Sequence, residues 1–117
     1  MANRFINKKI NLTSTDNTTI FTVPTATTSI VRSILVSEYA GSGSTLTVTL
    51  TDSSGTVFNL FTSKSVSSNT TTELLSNHLI LQENEILKVQ AADANRLQVI
   101  ASILEVQPRT VLGGAAS

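Results

Sequence analysis

Thr45-Leu46-Thr47-Val48-Thr49-Leu50-Thr51 alternates polar and apolar residues without a break. A β-strand sends successive side chains to opposite faces. Leu46, Val48 and Leu50 therefore share one face and the threonines the other. One face is dry and the other wet. The pattern recurs along most of the chain, with turn residues between the copies, and more than a quarter of all residues are Ser or Thr. The reading is an all-β chain, an antiparallel β-sandwich or jelly roll of eight or nine short strands.

Outward from that stretch, the same reasoning places strands at 5–12, 19–23, 29–38, 45–51, 56–61, 70–75, 78–81, 86–91 and 96–106. Ile6, Ile10 and Leu12 share a face of the first. Val23-Pro24 stops the second, because proline has no N–H to give a ladder. Ile34-Leu35-Val36 in the third breaks the alternation, which implies burial on both faces or a bulge. In the last strand Leu97, Val99, Ala101 and Ile103 face one way, yet Ile100 and Leu104 are apolar on the other. That strand is either central or covered by a partner subunit. Residues 39–44 read as a flexible turn. Asp52-Ser53-Ser54-Gly55 reads as a tight hairpin connection, with Gly55 free to take a positive φ. Residues 64–69 are ambiguous. No segment reads as a helix; the β-branched Thr70-Thr71-Thr72 argue against one before Leu74-Leu75.

With 117 residues the chain fits one domain, able to bury roughly two-thirds of its unfolded surface without staples. The expected organisation is a sandwich over 1–107 and a tail over 108–117. Pro108 ends the domain, and the tail reads either as a frayed terminus or as an arm on a neighbouring subunit anchored by Arg109, Val111 and Leu112. There are no cysteines, so no disulfides and no thiolate metal site. Lys plus Arg and Asp plus Glu number 8 each, and only 14% of residues are charged. A neutral chain carries no electrostatic footprint for nucleic acid. It also does little to hold copies apart. No apolar stretch approaches a membrane span or a signal-peptide core, so neither a membrane partner nor export is expected. Three Asn-x-Thr matches read as chance products of a Thr-rich chain.

Side chains suited to chemistry are few. His78 is the single histidine, so any triad or imidazole metal site has to use it, and it reads as a loop residue. Glu83 and Glu85, two apart, read as a solvated turn rather than a calcium site. Gly41-Ser42-Gly43 lacks the lysine and helix start of a phosphate loop. Carbohydrate-binding sandwiches stack sugars on exposed rings. This chain has no Trp and one Tyr, Tyr39, and its phenylalanines (Phe5, Phe21, Phe58, Phe61) are expected in the core. No cofactor is expected.

Thr18-Thr19-Ile20-Phe21-Thr22-Val23-Pro24, Ser33-Ile34-Leu35-Val36-Ser37-Glu38, Thr72-Glu73-Leu74-Leu75, Leu87-Lys88-Val89-Gln90-Ala91 and Val99-Ile100-Ala101-Ser102-Ile103-Leu104-Glu105 together resemble small virion structural proteins of tailed bacteriophages, especially cyanophages. The resemblance spans about residues 4–105. It implies a non-enzymatic sandwich located in the virion after synthesis in the host bacterial cytoplasm, and it carries no catalytic residues. The expected function is a capsid decoration (cement) protein; the alternatives are a neck, tail or baseplate component, then a host-surface glycan-binding module. Expected partners are the major capsid protein or other virion proteins and further copies of the chain, with a trimer favoured. Phe5, Ile6 and Lys8 on the first strand, with Arg109, Val111 and Leu112, are the expected interface residues.

Overall fold

The Asp52 carboxylate organises the reversal between the two halves of the chain. Its Oδ1 accepts the Ser54 N–H at 3.0 Å, the Ser54 hydroxyl at 2.7 Å and the Thr56 N–H at 2.9 Å. Such Asx turns are what Asp does at a chain reversal. Gly55 follows at φ 93, a region that costs a side-chain-bearing residue and suits glycine. A computed structural model describes residues 3–107. Among them lie nine strands: β1 (Asn3–Asn11), β2 (Thr18–Thr22), β3 (Thr28–Glu38), β4 (Ser44–Thr51), β5 (Val57–Val66), β6 (Thr71–Glu73), β7 (Leu79–Leu81), β8 (Ile86–Ala91) and β9 (Leu97–Val106).

The strands pair as mirror images about that turn. Leu50 faces Phe58, Val36 faces Thr72, Ile30 faces Ile80, Thr18 faces Val89 and Asn3 faces Val106. Every pair is centred close to residue 54. The chain is thus one long antiparallel hairpin, β1–β4 against β5–β9, rolled up so that β9 also pairs with β3 and β8 with β4. One sheet runs β1-β9-β3-β6, with β7 also on β3, and the other runs β2-β8-β4-β5. That winding is a jelly roll, which decides between the two all-β architectures expected from sequence. β6 and β7 occupy one strand position, interrupted at 74–78.

The inner faces of the two sheets make the core. Val31, Ile34, Val36, Leu97, Val99, Ala101 and Ile103 come from the β3–β9 sheet. Leu46, Val48, Leu87, Val89 and Ala91 meet them from the other. The alternating stretch that decides the fold is β4, with Leu46 and Val48 fully buried.

Several expectations need correction. β5 continues to Val66 through the segment that read as ambiguous. Register shifts between Leu46 and Val48 and between Val48 and Thr49, with Ser63 at φ 50, break the period of two there. The unalternated Ile34-Leu35-Val36 follows a bulge between Val31 and Ser33. Only Phe21 of the four phenylalanines is fully buried; Phe61 packs partly against the core, while Phe5 and Phe58 are exposed. β9 is central, flanked by β1 and β3, yet Ile100 remains open on its outer side.

Faces set energies. Leu87→Ala is expected to lower the unfolding free energy by about 2–5 kcal/mol, because its side chain is fully buried. Ile80→Ala, on the outer face, is expected to change it by about 0.5 kcal/mol or less. Urea denaturation of the two variants checks both; equal losses would mean that the faces are assigned wrongly.

Candidate interaction surface

The two sheets present different outer faces. On the β2-β8-β4-β5 sheet, Thr47, Thr49 and Thr51 stand beside Gln90, Lys88 and Ile86. The Thr47 hydroxyl accepts the Ser63 N–H at 3.0 Å, and Gln90 Nε2 donates to the Thr15 carbonyl at 3.0 Å. This face is mostly polar.

The β1-β9-β3 sheet is different. Phe5, Leu104, Ile30 and Ile80 lie opposite one another across four strand positions, making one continuous apolar row. Two rows further along the strands run Lys9, Ile100, Leu35 and Glu73. Asn7, Ser102 and Ser33 lie between. Phe5 is 69% exposed, Ile80 57% and Ile100 40%. The Arg32 guanidinium reaches across from the β3 bulge to lie 5.6 Å from the Phe5 ring centre, a cation–π distance. Contiguous exposed apolar surface of this kind marks interaction sites.

The three β1 residues expected at an interface are split by the pleat. Phe5 is on the outer face. Ile6 points inward and packs against the core, while Lys8, also on the inner side, holds its ammonium 6.0 Å from the Phe21 ring. Among the described residues β1 pairs only with β9, which leaves its other side at the edge of the sheet. Arg109, Val111 and Leu112 lie outside the described residues. Ile30, Leu35 and Ile80 were not singled out from sequence. Their signal was present as apolar residues of both parities in one strand: Ile30-Val31, Ile34-Leu35-Val36 and Leu79-Ile80-Leu81.

The candidate chemical groups are dispersed. His78 is exposed between β6 and β7, beside a shallow hollow also lined by Phe5, Asn7, Arg32, Ser33 and Ser102, with no carboxylate among its lining residues. Among the described residues no cluster of three His, Asp or Glu side chains is placed to hold a metal ion. Glu83 accepts the Ala26 N–H at 3.3 Å and Glu85 the Gln82 N–H at 2.7 Å, so each serves a turn. Exposed Phe5, Phe58 and Tyr39 lie on β1, on β5 and after β3, and form no common platform.

One carboxylate was missed. Glu38 ends β3 on the inward side and is 2% exposed. It accepts N–H groups from Asn69 at 2.9 Å, Gly41 at 2.9 Å, Ser42 at 3.1 Å and Gly43 at 3.0 Å. The expected flexible turn at 39–44 is thereby tied down. An acid just ahead of Gly-Ser-Gly is the trace it leaves in the sequence. The Asn69 N–H, with those of the glycine loop, holds Glu38 below its ordinary pKa against the opposing effect of burial. Asp52 is lowered through the Ser54 hydroxyl and the Thr56 N–H. Burial works against Glu73, but the Ser33 hydroxyl and the N–H groups of Ile34 and Leu75 outweigh it.

No family model matches the sequence, and no curated protein matches it. The fold is similar to that of a chain in the acid-stable capsid structure of Helicobacter pylori bacteriophage KHP30, with a TM-score of 0.52 and 13% identity, over 92% of this chain and 95% of that one. A chain of the cyanophage Pam1 capsid asymmetric unit aligns with a TM-score of 0.46 and 15% identity, over 91% of this chain and 85% of that one.

A carboxylate with a depressed folded pKa contributes stability that is complete above its unfolded value and is lost as pH falls through the folded one. Glu38→Gln should therefore be less stable than the parent at pH 7. The gap should close on acidification below Glu38's ordinary value of 4.5. Urea midpoints of both proteins at pH 7 and at about pH 3 test this; a gap that does not narrow would show that the charge is not what holds the loop.

Proposed function

We propose that this protein is a non-enzymatic structural component of a phage virion, a decoration (cement) protein that stabilises the capsid shell through subunit contacts. The observation that carries the reading is the likeness in fold to a chain of the KHP30 capsid structure over nearly the whole of both chains. The two domains are of nearly equal length, so the likeness is between whole chains rather than a shared fragment. The sequence resemblance to small virion proteins points the same way.

Physically, the function is adhesion between folded units. The jelly roll needs no partner to close its own core, so its outer surface is available for contacts. A formal net charge of +0 sets up no long-range repulsion between copies packed side by side. The proposed contacts to neighbouring subunits are made by β1, with Phe5, Ile6 and Lys8, and by the tail, with Arg109, Val111 and Leu112. Copies would join in closed symmetric sets, trimers suiting the local three-fold positions of a shell. Neither nucleic acid nor membrane is a proposed partner. Separated aromatic rings speak against a glycan platform.

Quantitative mass spectrometry of purified virions, referenced to the major capsid protein, tests the assignment. Hundreds of copies per particle are expected, because a shell repeats its sites. A count from about six to a few dozen would place the protein in a neck or tail ring instead. Absence from particles would overturn the structural reading. His78→Ala is expected to leave particle yield and infectivity unchanged, and a marked loss in a plaque assay would reopen a chemical role for the imidazole.

A further inference from the structure

We propose that the apolar outer face of the β1-β9-β3 sheet is an isologous interface, covered by the same face of a second copy of this chain. The inference goes beyond the virion assignment and does not rest on it.

The argument is the order of residues across the face. The apolar row runs Phe5, Leu104, Ile30, Ile80 from the β1 edge to the β7 edge. The second row runs Lys9, Ile100, Leu35, Glu73 in the same direction. Lay a second copy on this face about a two-fold axis that runs along the strands between β9 and β3. Each row then meets its own reversed image. Phe5 sits over Ile80 of the second copy and Leu104 over its Ile30. In the other row Ile100 sits over Leu35 and Lys9 over Glu73, so opposite charges meet at both rims. An axis across the strands performs worse, because it sets Lys9 over Phe5 and Glu73 over Ile80. In these two rows the order of the apolar residues and of Lys9 and Glu73 is self-complementary under the first operator, with Arg32 held against the Phe5 ring of its own copy. A two-fold contact requires that property.

The area is consistent with a specific but modest contact. Four strand positions about 4.8 Å apart, crossed by five rows about 6.8 Å apart, give about 650 Å² per copy. The pair buries about 1,300 Å² in total, at the lower end of the range for a specific interface. Glu73 is held in place by the Ser33 hydroxyl and by the N–H groups of Ile34 and Leu75. Lys9 lies along the face toward Asn7 Oδ1 at 3.2 Å. The second copy is favoured over the threonine-rich face of the other sheet, which has no matching apolar row.

Absence of native cysteines gives a clean test. Stacked sheets lie about 10 Å apart, so a bismaleimide with a spacer of about 10 Å joins positions that face each other. Within one chain, positions 5 and 80 are three strand spacings apart, about 14 Å, and a link formed there leaves the chain at monomer mass on a denaturing gel. The full-length double variant Phe5→Cys/Ile80→Cys should give a covalent dimer in high yield, and either single variant should not. Equal yields from the single variants, or none from the double, would overturn the two-fold arrangement. Sedimentation equilibrium of the unmodified protein, taken to high concentration, should show a mass rising toward twice that of the chain. Ile30→Asp should abolish the rise while leaving the circular dichroism unchanged. A mass that does not respond to this folded variant would overturn the use of the face.

Discussion

The structure depends on one constraint, the mirrored register set by the Asp52–Gly55 reversal. A strand's side chains alternate with a period of two, so a slip of one residue turns a whole strand inside out. Here the slip would not stay local. β4 is registered on β5 and on β8, β3 on β6, β7 and β9, and each of these carries a core-facing row. The bulges in β2, β3 and β5 are the places where the two halves are brought back into step. Mirrored pairing also eases loop closure. Once an inner pair is formed, the effective loop that the next pair must close is short, although the residues it joins are far apart in sequence.

The carboxylates are committed to that framework. Of the eight acids, Glu38, Asp52, Glu73, Glu83 and Glu85 accept backbone N–H groups at turns or strand ends. Glu105, nearly buried, meets Arg4 across the β1–β9 pair at 2.8 Å, and Asp93 accepts from Ser44 and lies 3.4 Å from Arg96. Only Asp16 uses its carboxylate for none of these. A chain low in charge has spent its acids on satisfying loop backbone, which a strand-rich fold generates at every reversal. The dispersal of these groups follows from the same cause: turns lie at both ends of the sandwich, so the acids do too.

Fold class and strand positions were legible because β-sandwich strands with one wet face write their period directly, as 44–51 and 86–91 do. The jelly-roll winding was not. Alternation reports which side of a strand is buried but says nothing of which strand lies beside it, and the mirrored pairing becomes visible only through register. β5 was half legible, since its bulges and the positive φ at Ser63 shift the phase of the pattern midway. Phe5 and Phe58 were misplaced because ring size was taken as a sign of burial, whereas both occupy positions that the pleat turns outward or to a sheet rim. The interaction surface was partly legible. Ile100 and Leu104 stood out within one strand, but the row they belong to crosses four strand positions, and no single strand contains it.

The contrast between the two outer faces bears on how such a protein avoids open-ended assembly. Low net charge and exposed sheet edges are the ingredients of aggregation. A molecule with two dry faces could stack without limit, each copy offering a fresh surface to the next. Here the β2-β8-β4-β5 face is clothed in threonine, glutamine and lysine, several of them hydrogen-bonded to the chain itself. The β1-β9-β3 face carries the apolar row of Phe5, Leu104, Ile30 and Ile80. A contact that uses one face, and uses it against itself, closes after two copies. The winding produces that asymmetry. By setting β9 between β1 and β3, it lines up Phe5, Leu104, Ile30 and Ile80 across one sheet and leaves the cleanly alternating β4 in the other.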